Sequence, residues 1–209
     1  DLHAVIRSCG PGVRPALVGE SWGAMLVLAG AAAHPADVGP LVLVGCGTFD
    51  LTARAQFQAT VAERLGDAGR AALAGLDAAV SDPAERLRRR LALLGPVYDY
   101  DPLPPAPADD DTPPFDVAAH EQTWADMLQL QRDGVYPAAF AAIRSPVLML
   151  HGDHDPHPGM LIRASLTPHL PQLEYHSWER CGHCPWQEQA VAAEFFAVLR
   201  AWLLTHTPA

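Results

Sequence analysis

The sequence predicts an α/β fold, a mostly parallel sheet with flanking helices, and three observations predict it. Apolar runs without polar alternation at residues 15–18, Leu41–Val44 and 146–150 suit interior strands covered on both faces. The first two runs are joined by Trp22–Ala33, rich in Ala, Leu and Met, so strand, helix and strand make a crossover unit. The 209 residues, 49% hydrophobic and 18% charged, are enough for one domain with a sizeable insertion around a real core.

The elements follow in order. Residues 2–8 read as a helix, ended by a turn at Gly10, Pro11 and Gly12. The strand at 15–18 stops at Gly19, and the helix after it closes at His34 and Pro35. From Thr48 to about Ala142 the strand signal disappears, and helical patterns cover 53–65, 68–80 and 83–94, the last with Asp82 as N-cap and Pro83 in its first turn. Residues 95–114, rich in Pro and Asp and including Asp109, Asp110 and Asp111, read as a mobile connector. A helix over 115–132 puts Val117, Trp124, Met127, Leu128 and Gln131 near one stripe, which predicts packing on that face. The strand signal returns at 146–150, followed by a helix at 161–167 and a strand at Leu173–Trp178. A long terminal helix over 186–204 repeats Val191, Phe195, Val198, Leu199, Trp202 and Leu203 at the spacing of a core-facing stripe. The organisation expected is a sheet domain in two parts, 1–48 and 143–209, with a helical insertion at 49–142.

Charge narrows the function. With 24 acidic against 14 basic residues the formal charge is −10, a poor match for phosphate surfaces, so neither nucleic acid nor an anionic membrane is expected as a partner. No stretch reaches the roughly 18 apolar residues of a membrane span. The N-terminus DLHAVIRSCG has no basic leader before an apolar run, and a soluble, cytoplasmic protein is the expectation. The four cysteines, Cys9, Cys46, Cys181 and Cys184, are too scattered for a disulfide framework.

Three short motifs carry chemistry. Gly19-Glu20-Ser21-Trp22-Gly23 fits G-x-S-x-G between a strand and a helix, where a sharp turn exposes the serine hydroxyl above the sheet edge. The amide of Trp22 would then be an oxyanion donor, reinforced by the positive end of the following helix. His151-Gly152-Asp153-His154-Asp155 ends a strand, and a carboxylate there faces the crevice where parallel sheets bind ligands, so Asp155 or Asp153 could orient a histidine. Gly182-His183 lies between the last strand and the terminal helix, within reach of a distant serine. Alone, each has a plainer reading as a glycine-bounded turn, a solvated acidic turn and a loop histidine.

Together their order is Ser21, then the acid, then His183, the order of α/β-hydrolases. The sequence resembles that superfamily, and within it the proline iminopeptidases and related lidded hydrolases, through GESWG, PVLMLHGDHDPHPG and CGHCPWQE. The resemblance implies a serine hydrolase acting on an ester or amide of a small molecule or short peptide, with release of an N-terminal proline as the narrower expectation. It favours Asp155 over Asp153 as the acid, and implies Ser21 as nucleophile, His183 as base and the insertion as a cap that excludes water. Glu121 and Asp126 are the cap carboxylates available to hold a free amine. Epoxide hydrolase and dehalogenase relatives carry an aspartate where Ser21 stands, and neither a cofactor nor a metal is implied. About four strands precede the elbow in that family, so the chain is expected to be N-terminally truncated, with a raw sheet edge and the second oxyanion donor upstream of residue 1.

Three rivals stand beside this. Cys181-Gly182-His183-Cys184 has the form of a disulfide-exchange motif, although one terminal helix follows it where a thioredoxin-type domain needs further strands. Cys181, Cys184, His151, His154 and His157 could contribute to a metal site, but lack paired zinc spacing. A non-catalytic binding module or inactive fragment on a hydrolase scaffold is the third.

Overall fold

A computed structural model describes residues 2–104 and 116–207. Its sheet is built from β1 (Leu17–Glu20), β2 (Leu41–Val44), β3 (Val147–Gly152) and β4 (Leu173–Trp178), paired in that order and all parallel. Parallel pairing forces a crossover between successive strands and puts every strand's C-terminal end at one edge. The helices are α1 (Leu2–Ser8), α2 (Trp22–Ala33), α3 (Leu51–Ala79), α4 (Pro83–Tyr98), α5 (Val117–Arg132), α6 (Gly159–Leu166) and α7 (Ala192–His206).

The apolar runs divide between two cores with the period of two that a strand imposes. Leu41, Leu43, Val147 and Met149 face one core with Met25 and Leu28 of α2 and Ile162 and Leu166 of α6. Val42, Val44, Leu148 and Leu150 face the other with Phe195 and Trp202 of α7. The inner strands β2 and β3 are therefore fully buried, as unalternating apolar runs require. The first strand differs from expectation. It begins at Leu17, and Val18 is 51% exposed, because among the described residues β1 pairs with β2 alone and one of its faces is open.

Between β2 and β3 the chain is helical. The two helices expected over 53–80 lie within Leu51–Ala79 as two segments separated by a kink at Gly66, whose φ of 61° a residue without Cβ adopts at little cost. Asp82 caps α4 by accepting the N–H groups of Ala84 and Glu85. That helix continues through Pro96 to Tyr98, into the stretch read as a connector, while Asp109, Asp110 and Asp111 lie outside the described residues. On α5 the expected stripe is buried only at Met127, and Trp124 stays partly exposed because it faces a cavity rather than the core. The terminal helix starts at Ala192, later than expected. A short 3₁₀ turn, Pro185–Gln187, precedes it and brings the buried Glu188 back to the edge where the strands end. Among the described residues no helix is long and apolar enough to cross a membrane.

Candidate active site

The site begins at the end of β1. Ser21 has φ 52° and ψ −115°, a conformation that strains a residue with a side chain, and its N–H donates to Val44 O at 2.8 Å. Such a turn needs glycine behind it, since a Cβ on Gly19 would stand 2.3 Å from Gly23 O. As the first residue of α2, Trp22 has an N–H with no carbonyl four residues back within the helix to bond.

At the end of β3 a turn carries Asp153, exposed, and Asp155, buried. A Cβ on Gly152 would stand 2.2 Å from the carbonyls of Cys181 and Gly182, so the acid loop and the histidine loop touch through glycine. His183 places Nδ1 2.6 Å from Asp155 Oδ2, and its own N–H donates to Tyr98 O at 2.9 Å. Its ring lies against Gly45, at the end of β2, where a Cβ would come within 2.9 Å. Ser21 and His183 thus flank the C-terminal end of the same strand.

The second nitrogen of that ring has an unexpected partner. His183 Nε2 is 3.1 Å from Glu20 Oε1, and among the described residues no hydrogen bond joins Ser21 Oγ to His183. Asp155 is shared: His157 Nδ1 is 2.9 Å from Oδ1, and His151 Nε2 is 3.4 Å from Oδ2. Burial would raise the Asp155 carboxyl, but His183, His157 and His151 outweigh it and hold it well below the usual carboxylate range. Burial would likewise lower the His183 imidazole, yet Asp155 and, after it, Glu20 push it up to about 9. An ionised Asp155 accepts only, so His183 Nδ1 carries a proton.

A cavity of about 630 Å³ opens on Ser21, Trp22 and His157 and is roofed by α3, α4 and α5. Trp22 meets Trp124 edge to face at 5.5 Å, and Phe57 stacks on His157 at 4.3 Å. Among the described residues its charged lining is Arg54, Arg86 and Arg90 against Asp77 and Glu121. Asp126, the other acid expected to recognise an amine, does not line it.

The rival motifs do not assemble. All four cysteines are free, and burial pushes the Cys181 and Cys184 thiols up to about 12, opposite to what a disulfide-exchange pair requires. The cysteines and histidines weighed as a metal set are not gathered. The compact groups among the described residues are His3, His34 and Asp37, and Asp155, His157 and His183, neither containing a cysteine. In the second group both imidazoles already face the carboxylate through Nδ1, which makes it a hydrogen-bonded network.

Sequence reasoning missed Glu20 and Glu188, and weighed His157 only as a metal ligand. Glu20 stood inside the serine motif as its variable position, and His157 stood two residues past Asp155, where an Asx turn returns its N–H to Asp155 Oδ1 at 2.9 Å. Nothing local marked Glu188.

This fold and edge geometry define an α/β enzyme-type scaffold with its site at the carboxyl ends of parallel strands. A family model described as alpha/beta hydrolase family matches residues 1–195, and the chain belongs to that family. Three solved structures illustrate the likeness. VinJ superposes with a TM-score of 0.64 at 19% identity, covering 99% of this chain and 71% of that one. A proline iminopeptidase of Mycobacterium smegmatis gives 0.57 at 21%, over 98% and 69%. The esterase RhEst1 from Rhodococcus sp. ECU1013 gives 0.56 at 23%, over 99% and 71%. These identities speak for the fold. By direct sequence comparison no curated protein matches.

Proposed function

We propose that the chain is a serine hydrolase that cleaves an ester of a small molecule through an acyl-enzyme, with Ser21, His183 and Asp155 as its triad. The observation that carries this reading is the 2.6 Å Asp155–His183 pair set beside the strained Ser21 at the floor of the cavity. His183 Nε2 takes the Ser21 Oγ proton as Oγ bonds to the substrate carbonyl carbon, and Asp155 stabilises the imidazolium that forms. The oxyanion meets the Trp22 N–H. His183 then returns the proton to the leaving oxygen as its bond to carbon breaks. A water gives its proton to the same nitrogen as it attacks the acyl carbon, and His183 passes that proton to Ser21 Oγ as the bond from Oγ to the acyl carbon breaks and the acid leaves. Helices α3 to α5 serve as the cap that limits water and shapes specificity.

The cavity favours esters over substrates with a free N-terminal amine. Among the described residues Arg54, Arg86 and Arg90 outnumber Asp77 and Glu121, and Asp77 is already paired with Arg86 at 3.3 Å, so a cationic amine would meet more guanidinium than carboxylate there.

Intact-mass analysis after a fluorophosphonate probe tests the reading, with Ser21→Ala as control and turnover of p-nitrophenyl esters and proline arylamides measured in parallel. One adduct confined to the parent, with ester turnover above arylamide turnover, is expected. A folded chain that takes no adduct overturns the reading in favour of a non-catalytic binding module or an inactive fragment.

A further inference from the structure

We propose that Glu20 is a positioning residue that holds His183 Nε2 and competes there with Ser21, so that the base becomes available only when the Glu20 carboxylate leaves. This rests on the reading of Ser21 and His183 as nucleophile and base. The geometry is two-sided. One imidazole stands between carboxylate oxygens, Asp155 Oδ2 at 2.6 Å from Nδ1 and Glu20 Oε1 at 3.1 Å from Nε2. Ionised carboxylates accept and do not donate, so both contacts are satisfied together only by a ring protonated on both nitrogens. Such a ring has no lone pair with which to take the serine proton.

The two carboxylates differ in their freedom. Asp155 has no exposed side-chain surface and is pinned by three imidazoles, whereas the Glu20 side chain is 42% exposed at the end of β1. Glu20 is therefore the partner that can move, and its departure leaves the Asp155 bond that a general base needs. It is also the residue that precedes the nucleophile in the chain.

The other groups around His183 hold different places. His157 stacks on its ring at 5.1 Å and is bound to Asp155, and Tyr98 from the end of α4 meets the ring edge-on at 5.1 Å. His151 lies behind Asp155, and Asp99 follows Tyr98. Cys184 Sγ points at Glu20 Oε1 from 4.0 Å. Among the described residues Asp155 and Glu20 are the acceptors placed on the ring nitrogens.

The test is Glu20→Gln, which keeps the shape and removes the charge. NMR of ¹³Cε1-labelled histidine follows His183 titration directly, assigned with His183→Gln, and the rate of fluorophosphonate labelling of Ser21 is followed from pH 5.5 to 10. The expectation is a His183 midpoint about one unit lower in the variant and labelling about tenfold faster at pH 6.5, with a lower melting temperature at that pH because the folded ring then gains less from its proton. A midpoint that stays where the parent has it overturns the proposal, as does a variant that labels no faster at pH 6.5. If Glu20→Gln does not fold, Glu20→Ala gives the same two readouts. Absence of labelling of the parent at every pH instead counts against the hydrolase reading, and the NMR midpoint still decides whether Glu20 holds the ring.

Discussion

Glu188 Oε1 accepts the N–H of Gly182 at 2.8 Å, so the residue before His183 hangs from a buried carboxylate on the far side of its own loop. The same side chain accepts the N–H groups of Tyr100 at 2.9 Å and Asp101 at 2.7 Å. One carboxylate thereby ties the histidine loop to the segment that follows α4. Replacing it by alanine leaves the Gly182 donor buried and unpartnered, and Glu188→Ala is expected to lose about 2 to 3 kcal/mol in urea denaturation. A loss below about 1 kcal/mol would show that the loop holds itself.

The Asp155–His183 pair predicts a stability profile bounded on both sides. His183 titrates at about 9 in the folded chain against an ordinary 6.5, so its contribution is complete below pH 6.5 and fades as pH rises toward 9. Asp155 is held below its ordinary 3.8, so its contribution is present above that value and fades as pH falls beneath it. Urea midpoints for the parent and Asp155→Asn are expected to converge at both extremes and separate most near pH 5 to 6. Parallel profiles would mean that the pair contributes nothing to folding.

Gly19→Ala is expected to disable the elbow. Its Cβ would lie 2.3 Å from Gly23 O and 2.7 Å from Ala24 N, both backbone atoms that cannot rotate away. The first turn of α2 must shift, at a cost of about 1 to 3 kcal/mol, and Ser21 moves with it. Probe labelling should fall at least tenfold while circular dichroism still reports a folded chain. Unchanged labelling would remove the elbow from the account of Ser21.

Trp124 stands over the cavity against the indole ring of Trp22, whose backbone N–H rather than its ring is assigned to the chemistry. Trp124→Ala should raise KM for an aromatic ester about tenfold and leave kcat within a factor of about two, the pattern of lost uniform binding. A fall in kcat with KM intact would instead place Trp124 in the transition state.

Thiol reactivity separates the hydrolase reading from disulfide exchange. Cys9 is exposed, while Cys46, Cys181 and Cys184 are pushed up to about 12 with burial as the leading cause. Iodoacetamide at pH 7.5 should add a single carbamidomethyl group on the folded chain, at Cys9. Fast alkylation of Cys181 or Cys184 would revive the redox motif.

Much of the scaffold was legible before any coordinate, because its signals are local. Leu41–Val44 and Leu173–Trp178 coincide with their strands, and the unalternating apolar run of the first announces burial on both faces without reference to the rest of the chain. The glycines of GESWG and of the loops at 152 and 182 mark points where backbone approaches backbone, which is a property of the residue type. The choice between Asp153 and Asp155 rested on a family spacing, and the fold turns the first outward and the second onto His183.

What no local pattern carries is who meets whom across the edge of the sheet. Glu20 and His183 are 163 positions apart, and their contact exists because parallel pairing brings the ends of β1 and β2 together with the loop after β4. Glu188 looks like an ordinary polar residue at the start of a terminal helix until burial shows what its carboxylate accepts. Motif, strand and helix depend on neighbours within a few residues and can be read from their order. The protonation of His183, the sharing of Asp155 and the charge of the cavity depend on distances between remote segments, and those are decided only when the sheet closes its register.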